Sequence, residues 1–164
     1  MSNIGFVGGS MIMGIGPKEG MATFYRCISD FVVPSTGKDF RVLTDRLYRR
    51  YVSIEDLDSA IDAMADVKES FSKISLRQVP NLVATLGRSC GHDVDSNPNL
   101  GAAFSKYFEG FDICASDAKS LLRQHNTYVP LMTVVASIPE ALTDYSHRPL
   151  AEFDNLEGLP LWLR

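Results

Sequence analysis

The chain has 164 residues, 20 Asp/Glu against 16 Lys/Arg, a net charge of −4, and 45% hydrophobic to 22% charged residues. This is ordinary globular composition, enough to bury about two-thirds of the unfolded chain's surface in one domain, residues 1–164. The acidic balance argues against direct contact with nucleic acid, which needs a basic footprint, and is compatible with a basic protein partner drawn in by opposite charge. No run approaches the roughly 20 apolar residues of a membrane span. The opening MSNIGFVGGS lacks the basic region and long apolar stretch of a signal peptide. Three widely spaced cysteines, Cys27, Cys90 and Cys114, read as reduced thiols of a cytoplasmic protein, not as a disulfide framework.

Residues 3–15 read as two short strands, with Ile4, Phe6, Met11, Met13 and Ile15 alternating with smaller residues. Gly8-Gly9-Ser10 supplies the positive φ angles that a two-residue hairpin turn needs. Gly14, Gly16 and Gly20 resemble a fragment of a phosphate-binding loop. They fail the spacing of both the dinucleotide fingerprint and the P-loop, so the turn is the better reading. From Pro17 a helix can begin, with Glu19 in its first turn. Met21, Phe24, Tyr25, Ile28 and Phe31 carry it at helical spacing to about Val32, with Cys27 as a small core residue beside them. Pro34-Ser35-Thr36-Gly37 reads as a loop.

The clearest pattern lies between Asp39 and Ser72. Phe40, Leu43, Leu47, Tyr48 and Tyr51 form one apolar face. Ile54, Leu57, Ile61, Met64 and Phe71 form a second, flanked by Ala60, Ala63 and Val67. Ser53 precedes the second run, and Asp56 stands where a capping box places Glu or Gln. The expectation is a helix hairpin joined by very few residues.

Beyond Lys73 the pattern weakens, and the stretch to Leu86 reads as a strand or as a short helix starting before Pro80, which a central strand position excludes. Residues 87–98 form a loop. It holds Cys90, His92, Asp93 and Asp95, types that can ligate a metal or place a thiol beside a base. No second Cys/His pair at ligand spacing accompanies them, and His125 and His147 stand alone, so no metal or cofactor is expected. An exposed acidic recognition loop is the plainer alternative. Asn99 can cap a short helix bearing Leu100, Phe104, Tyr107 and Phe108, with Gly110 ending it. Ser116 can cap the next, over about 117–125. The β-branched run 127–137 reads as a strand starting near an edge at Pro130. The apolar tail, with Trp162, is too hydrophobic for a free disordered segment and should wrap back along the domain. The fold class is therefore α+β: a small antiparallel sheet, from the N-terminal hairpin and a strand near 127–137, packed against several helices.

The segments GF-VGGS-MIMGIG, FYRCIS, DFRVLTDRLYRRYVSIEDLDSAIDAM and FSKYF, with the closing EFDNLEGLPLWLR, resemble the immunity protein 70 family and related immunity proteins of bacterial toxin and contact-dependent growth inhibition systems. The similarity covers residues 4–72 well and 99–124 loosely, and residues 73–98 depart from it. The resemblance implies a cytoplasmic binding protein that is not an enzyme. Its partner would be the C-terminal domain of one cognate toxin, often a basic nuclease, with no direct contact to nucleic acid or membrane. Family members carry no catalytic residues, so none transfers. The acidic residues that would meet such a surface are Glu55, Asp56, Asp58 and Asp62, and Asp93 and Asp95 in the loop; a solvated helix face is the plainer account of several of them. A small enzyme using Cys90, His92 and Asp93, or an adaptor with an unrelated partner, is the alternative.

Overall fold

The computed structural model describes residues 3–9, 11–79, 99–126, 128 and 130–135. Strands β1 (Asn3–Gly8) and β2 (Met11–Pro17) form the expected hairpin, with Gly8 opposite Met11 and Gly9 in the turn at φ +60°. β3 (Met132–Val135) lies antiparallel on the other side of β1, giving the order β2-β1-β3. The fold is α+β, as expected from the two kinds of periodicity. A bulge interrupts β1–β2 pairing: Ile4 faces Gly16 while Gly5 faces Gly14, so Ile15 is the extra residue, and its side chain is buried. Such an extra residue bends the strand and increases its twist.

Helix α1 (Lys18–Cys27) follows β2 directly and buries Met21, Phe24 and Tyr25. The helical path does not stop at Val32. It widens into a π-helical turn over Ile28–Val32, then makes one more turn, α2 (Val33–Thr36), and ends at Gly37 with φ +66°. The loop expected at Pro34–Gly37 is thus helical up to Gly37. Pro34 sits where the π-helical turn passes into the last turn, at its first residues. The hydroxyls of Ser35 and Thr36 donate back to the Val32 carbonyl at 3.2 and 2.8 Å.

The expected helix hairpin exists in altered form. Its first arm is π-helical over Val42–Leu47, with Phe40, Leu43 and Leu47 buried. Its second arm is α3 (Leu57–Ser72). The connection is longer than the sequence suggests, because Val52 leaves the helical path and bridges to Leu131, its N–H donating to that carbonyl at 2.8 Å. The α3 stripe is rotated accordingly. Leu57, Ala60, Ala63, Met64, Val67 and Phe71 are buried, Ile61 is half-buried, and Ile54 is exposed in the preceding turn. Ser53 and Asp56 do not cap backbone amides. The Ser53 hydroxyl donates to the Asp56 carboxylate at 3.2 Å, and Asp56 makes no side-chain cap bond.

After a single 3₁₀ turn at Leu76–Gln78, the chain re-enters the described region at Asn99, whose side chain accepts from the Ala102 amide at 2.8 Å. This is the cap expected for α4 (Leu100–Ala103). Removing it with Asn99→Ala should cost about 1 kcal/mol in urea unfolding, an isolated effect because the bond is local. α4 passes almost at once into α5 (Ser105–His125), which ends at Asn126 with φ +51°. α5 runs through Gly110 and Ser116 without a break, against the expectation of two helices. Gly110 serves packing: a Cβ there would stand 2.9 Å from Ile15 Cδ1 and 3.4 Å from Met13 Cβ, so its absence lets α5 lie against β2.

The core sits between the sheet, α1, α3 and α5. Phe24 is its centre, with ring centroids 5.1 Å from Phe104 and from Tyr107, 5.3 Å from Tyr25, and 5.7 Å from Phe71 and from Phe108. Tyr25 also stacks on Tyr48 at 4.2 Å and hydrogen-bonds the buried Thr133 hydroxyl at 3.1 Å. Tyr128 donates to the Val52 carbonyl at 2.8 Å, tying the start of β3 to the linker before α3.

Cys27 is the buried core residue the sequence suggests, and Cys114 is buried too; both are free thiols. Burial pushes the Cys27 thiol up to about 11 and Cys114 up to about 12. Loss of water likewise raises the Tyr25 and Tyr128 phenols well above their usual range. In the unfolded chain the thiols ionise near 9, whereas the folded state holds their protons to higher pH. Stability should therefore fall as pH rises above about 9. Ellman's reagent at pH 8 should leave both thiols unmodified in the folded protein and label them rapidly in 6 M guanidinium. Rapid labelling of either in the native state would contradict this burial.

Candidate functional site

The acidic residues singled out from the sequence occupy two settings. Glu55 is exposed in the turn that leads into α3, and Asp58 and Asp62 are exposed on its first two turns. Both aspartates lie one helical turn apart on the side away from Leu57 and Met64. Asp58 accepts from Lys119 of α5 at 3.0 Å, and further along α3 Asp66 accepts from Lys38 at 3.0 Å and Glu69 pairs with Lys73 at 3.5 Å. Solvent screens such pairs, each contributing about 0–1 kcal/mol, but they offset part of the negative charge that the sequence alone suggests. Among the described residues Glu55 and Asp62 make no ion pair within 4.0 Å. Asp93 and Asp95 lie outside the described residues, as do Cys90, His92, His147 and Trp162.

Asp56 belongs to a different place. It is half-buried and lines a cleft of about 340 Å³ with Asp39, Arg41, Val42, Asp45 and Arg46. Three carboxylates and two guanidiniums share this cleft. The Arg41 guanidinium grips Asp39 through Nε and Nη2, at 3.0 and 2.8 Å, and this hydrogen bonding holds the carboxyl down to about 2. That contact arises between residues two apart in a turn, a spacing with no helical signature, which is why the sequence pattern does not reveal it.

A second depression, of about 500 Å³, lies on α5 beside Met11, the first residue of β2. It is lined by Met11, Asp112, Ile113, Ser116, Asp117 and Ser120. Its other five residues fall on one face of a helix that sequence reasoning divides at Gly110 and Ser116, so the face is invisible until α5 is seen as continuous. Lys119, next to Ser120, carries the bond to Asp58, which links this depression to the acidic start of α3.

Among the described residues no group of three or more His, Cys, Asp or Glu side chains is placed to hold a metal ion. No described helix is long and apolar enough to cross a membrane. His125, which stands alone in sequence, ends α5 on an exposed turn. The described residues present carboxylates on helices whose opposite faces are packed into the core. No family model, no curated protein and no solved structure matches this chain.

Proposed function

We propose that this protein is an immunity protein that binds and neutralises a cognate bacterial toxin domain, a basic nuclease delivered by contact-dependent growth inhibition. The observation that carries the reading is the exposed set Glu55, Asp58 and Asp62 at the start of α3. Asp58 and Asp62 sit on α3, which is anchored by Leu57, Ala60, Met64, Val67 and Phe71 in the core, and Glu55 sits in the turn that leads into it. Pre-ordered charge facing a basic surface speeds encounter and rejects wrong partners. The net charge of −4 works in the same direction. Inhibition then follows from occlusion: a bound acidic domain excludes nucleic acid from the nuclease by volume and by like charge.

The test is co-expression with the reading frame directly upstream, one partner tagged. The expected result is a tight complex and an upstream product that is lethal alone. No complex, together with a harmless upstream product, removes the reading. Within a complex, Glu55→Lys combined with Asp62→Lys should slow association about tenfold or more at low salt, with the difference shrinking as salt rises. An unchanged rate would move the interface elsewhere. Asp93→Lys with Asp95→Lys tests the loop in the same way.

A further inference from the structure

The surface around Ile54 combines an apolar centre with charge of both signs. Among the described residues, Ile54 and Val33 are the large hydrophobic side chains left exposed. Arg49 and Arg50, both exposed, lie just before Ile54 in the chain, and the exposed Glu55, Asp58 and Asp62 follow it. The Arg50 N–H donates to the Arg46 carbonyl at 2.9 Å, so Arg50 stands one helical turn beyond Arg46. Arg46 lines the cleft together with Asp56, which directly precedes α3. The end of the arginine arm therefore lies beside the start of the acidic helix. From Arg50 to Ile54 the chain spans at most about 14 Å even when fully extended. The Leu57 N–H donates to the Ile54 carbonyl at 3.3 Å, so the turn at Ile54 runs straight into α3. Among the described residues Arg49, Arg50, Glu55 and Asp62 make no ion pair within 4.0 Å, whereas Asp58 is held by Lys119.

An apolar centre inside a charged rim is the anatomy of a protein interface, and the two signs of charge select its occupant. A nucleic acid would be repelled by Glu55 and Asp62. A basic protein covers the acidic half and leaves Arg49 and Arg50 unpaired, and an acidic protein does the reverse. A second copy of this chain, turned about a two-fold axis, covers both halves at once. Arg49 and Arg50 of each copy then meet Glu55 and Asp62 of the other, and the two Ile54 side chains meet near the axis. We propose that two copies of this chain associate through this surface as a weak, salt-sensitive dimer. Its weakness follows from its rim, because exposed ion pairs are screened by solvent and salt. The inference goes beyond the toxin-binding reading and does not depend on it. Where both hold, the toxin and the second copy compete for the same carboxylates.

Sedimentation equilibrium of the purified chain tests this, at up to about 1 mM chain and at salt from about 0.01 to 1 M. The expected result is a dimer at low salt with no larger species, its affinity falling about tenfold or more across that range. Arg49→Glu with Arg50→Glu makes the whole rim negative, and Glu55→Lys with Asp62→Lys makes it positive. Each variant alone should be monomeric. Mixed in equal amounts they should form a heterodimer, because every pair across the axis is then attractive. All the substituted positions are exposed, so each variant should keep the wild-type circular dichroism spectrum, and binding on mixing shows that both are folded. Ile54→Ser, which leaves the rim intact, should weaken the wild-type dimer about tenfold. A chain that stays monomeric at low salt overturns the proposal. So does a dimer that either charge reversal leaves unchanged, a mixture of the two folded variants that stays monomeric, or an Ile54→Ser dimer of wild-type affinity. Growth into open-ended oligomers overturns the two-fold arrangement.

Discussion

Phe24→Ala should lower the stability of this protein by about 3–5 kcal/mol, a large share of the 5–15 kcal/mol typical of a folded domain. Phe24 is fully buried and touches five other rings, supplied by Tyr25, Phe71, Phe104, Tyr107 and Phe108. Those rings come from α1, α3 and the α4–α5 pair, so one side chain joins three parts of the core. Most of its partners meet it edge to face, the arrangement that adds to simple burial. Truncation removes these contacts and leaves an apolar void that the surrounding rings, packed on one another, have little room to fill. Urea unfolding of the variant is the check, and Phe24→Leu should lose markedly less. A loss below about 1.5 kcal/mol would mean that the cluster collapses into the space.

Gly9→Val should be nearly as damaging, at about 2–5 kcal/mol, for two reasons that add. The turn holds Gly9 at φ +60°, where an L-residue costs about 1–2 kcal/mol and a β-branched one is a clear outlier. A Cβ at Gly9 would also run into the Asp117 carboxylate and stand 2.8 Å from the Ala118 amide nitrogen in α5. The second is backbone and moves only if the hairpin lifts away from the helix, an overpacking cost of about 1–3 kcal/mol. Gly9→Asn separates the two effects, because asparagine tolerates the left-handed region but still adds the Cβ. Thermal unfolding of both variants should rank them wild type, Asn, Val in falling stability. Equal losses would assign the whole effect to the contact.

The pattern of local structure was legible where the chain's immediate neighbourhood decides it. Gly8-Gly9 between alternating residues specifies a hairpin turn, and Asn99 before an apolar run specifies a cap. Met21, Phe24, Tyr25 and Ile28 recur with the helical period and are all buried. Charge was legible as composition but not as a surface. Asp58 and Asp66 meet Lys119 and Lys38 from segments 61 and 28 residues away, and no spacing rule reaches that far. Asp56, grouped with its acidic neighbours in sequence, lines a separate cleft because the turn at Val52 redirects the chain.

The sequence by itself determined the N-terminal hairpin, the Asn99 cap and the apolar face of α1, since those follow from backbone period and side-chain type within a few residues. Tertiary structure alone decided that α5 continues through Gly110 and Ser116, that Val52 bridges to Leu131, and that Met11 comes to lie beside Ile113. In each case the deciding interaction joins segments far apart in the chain. At Gly110 the close approach of Ile15 and Met13 outweighs the modest cost of about 1 kcal/mol that glycine brings to a helix interior, so packing overrides the local stop signal.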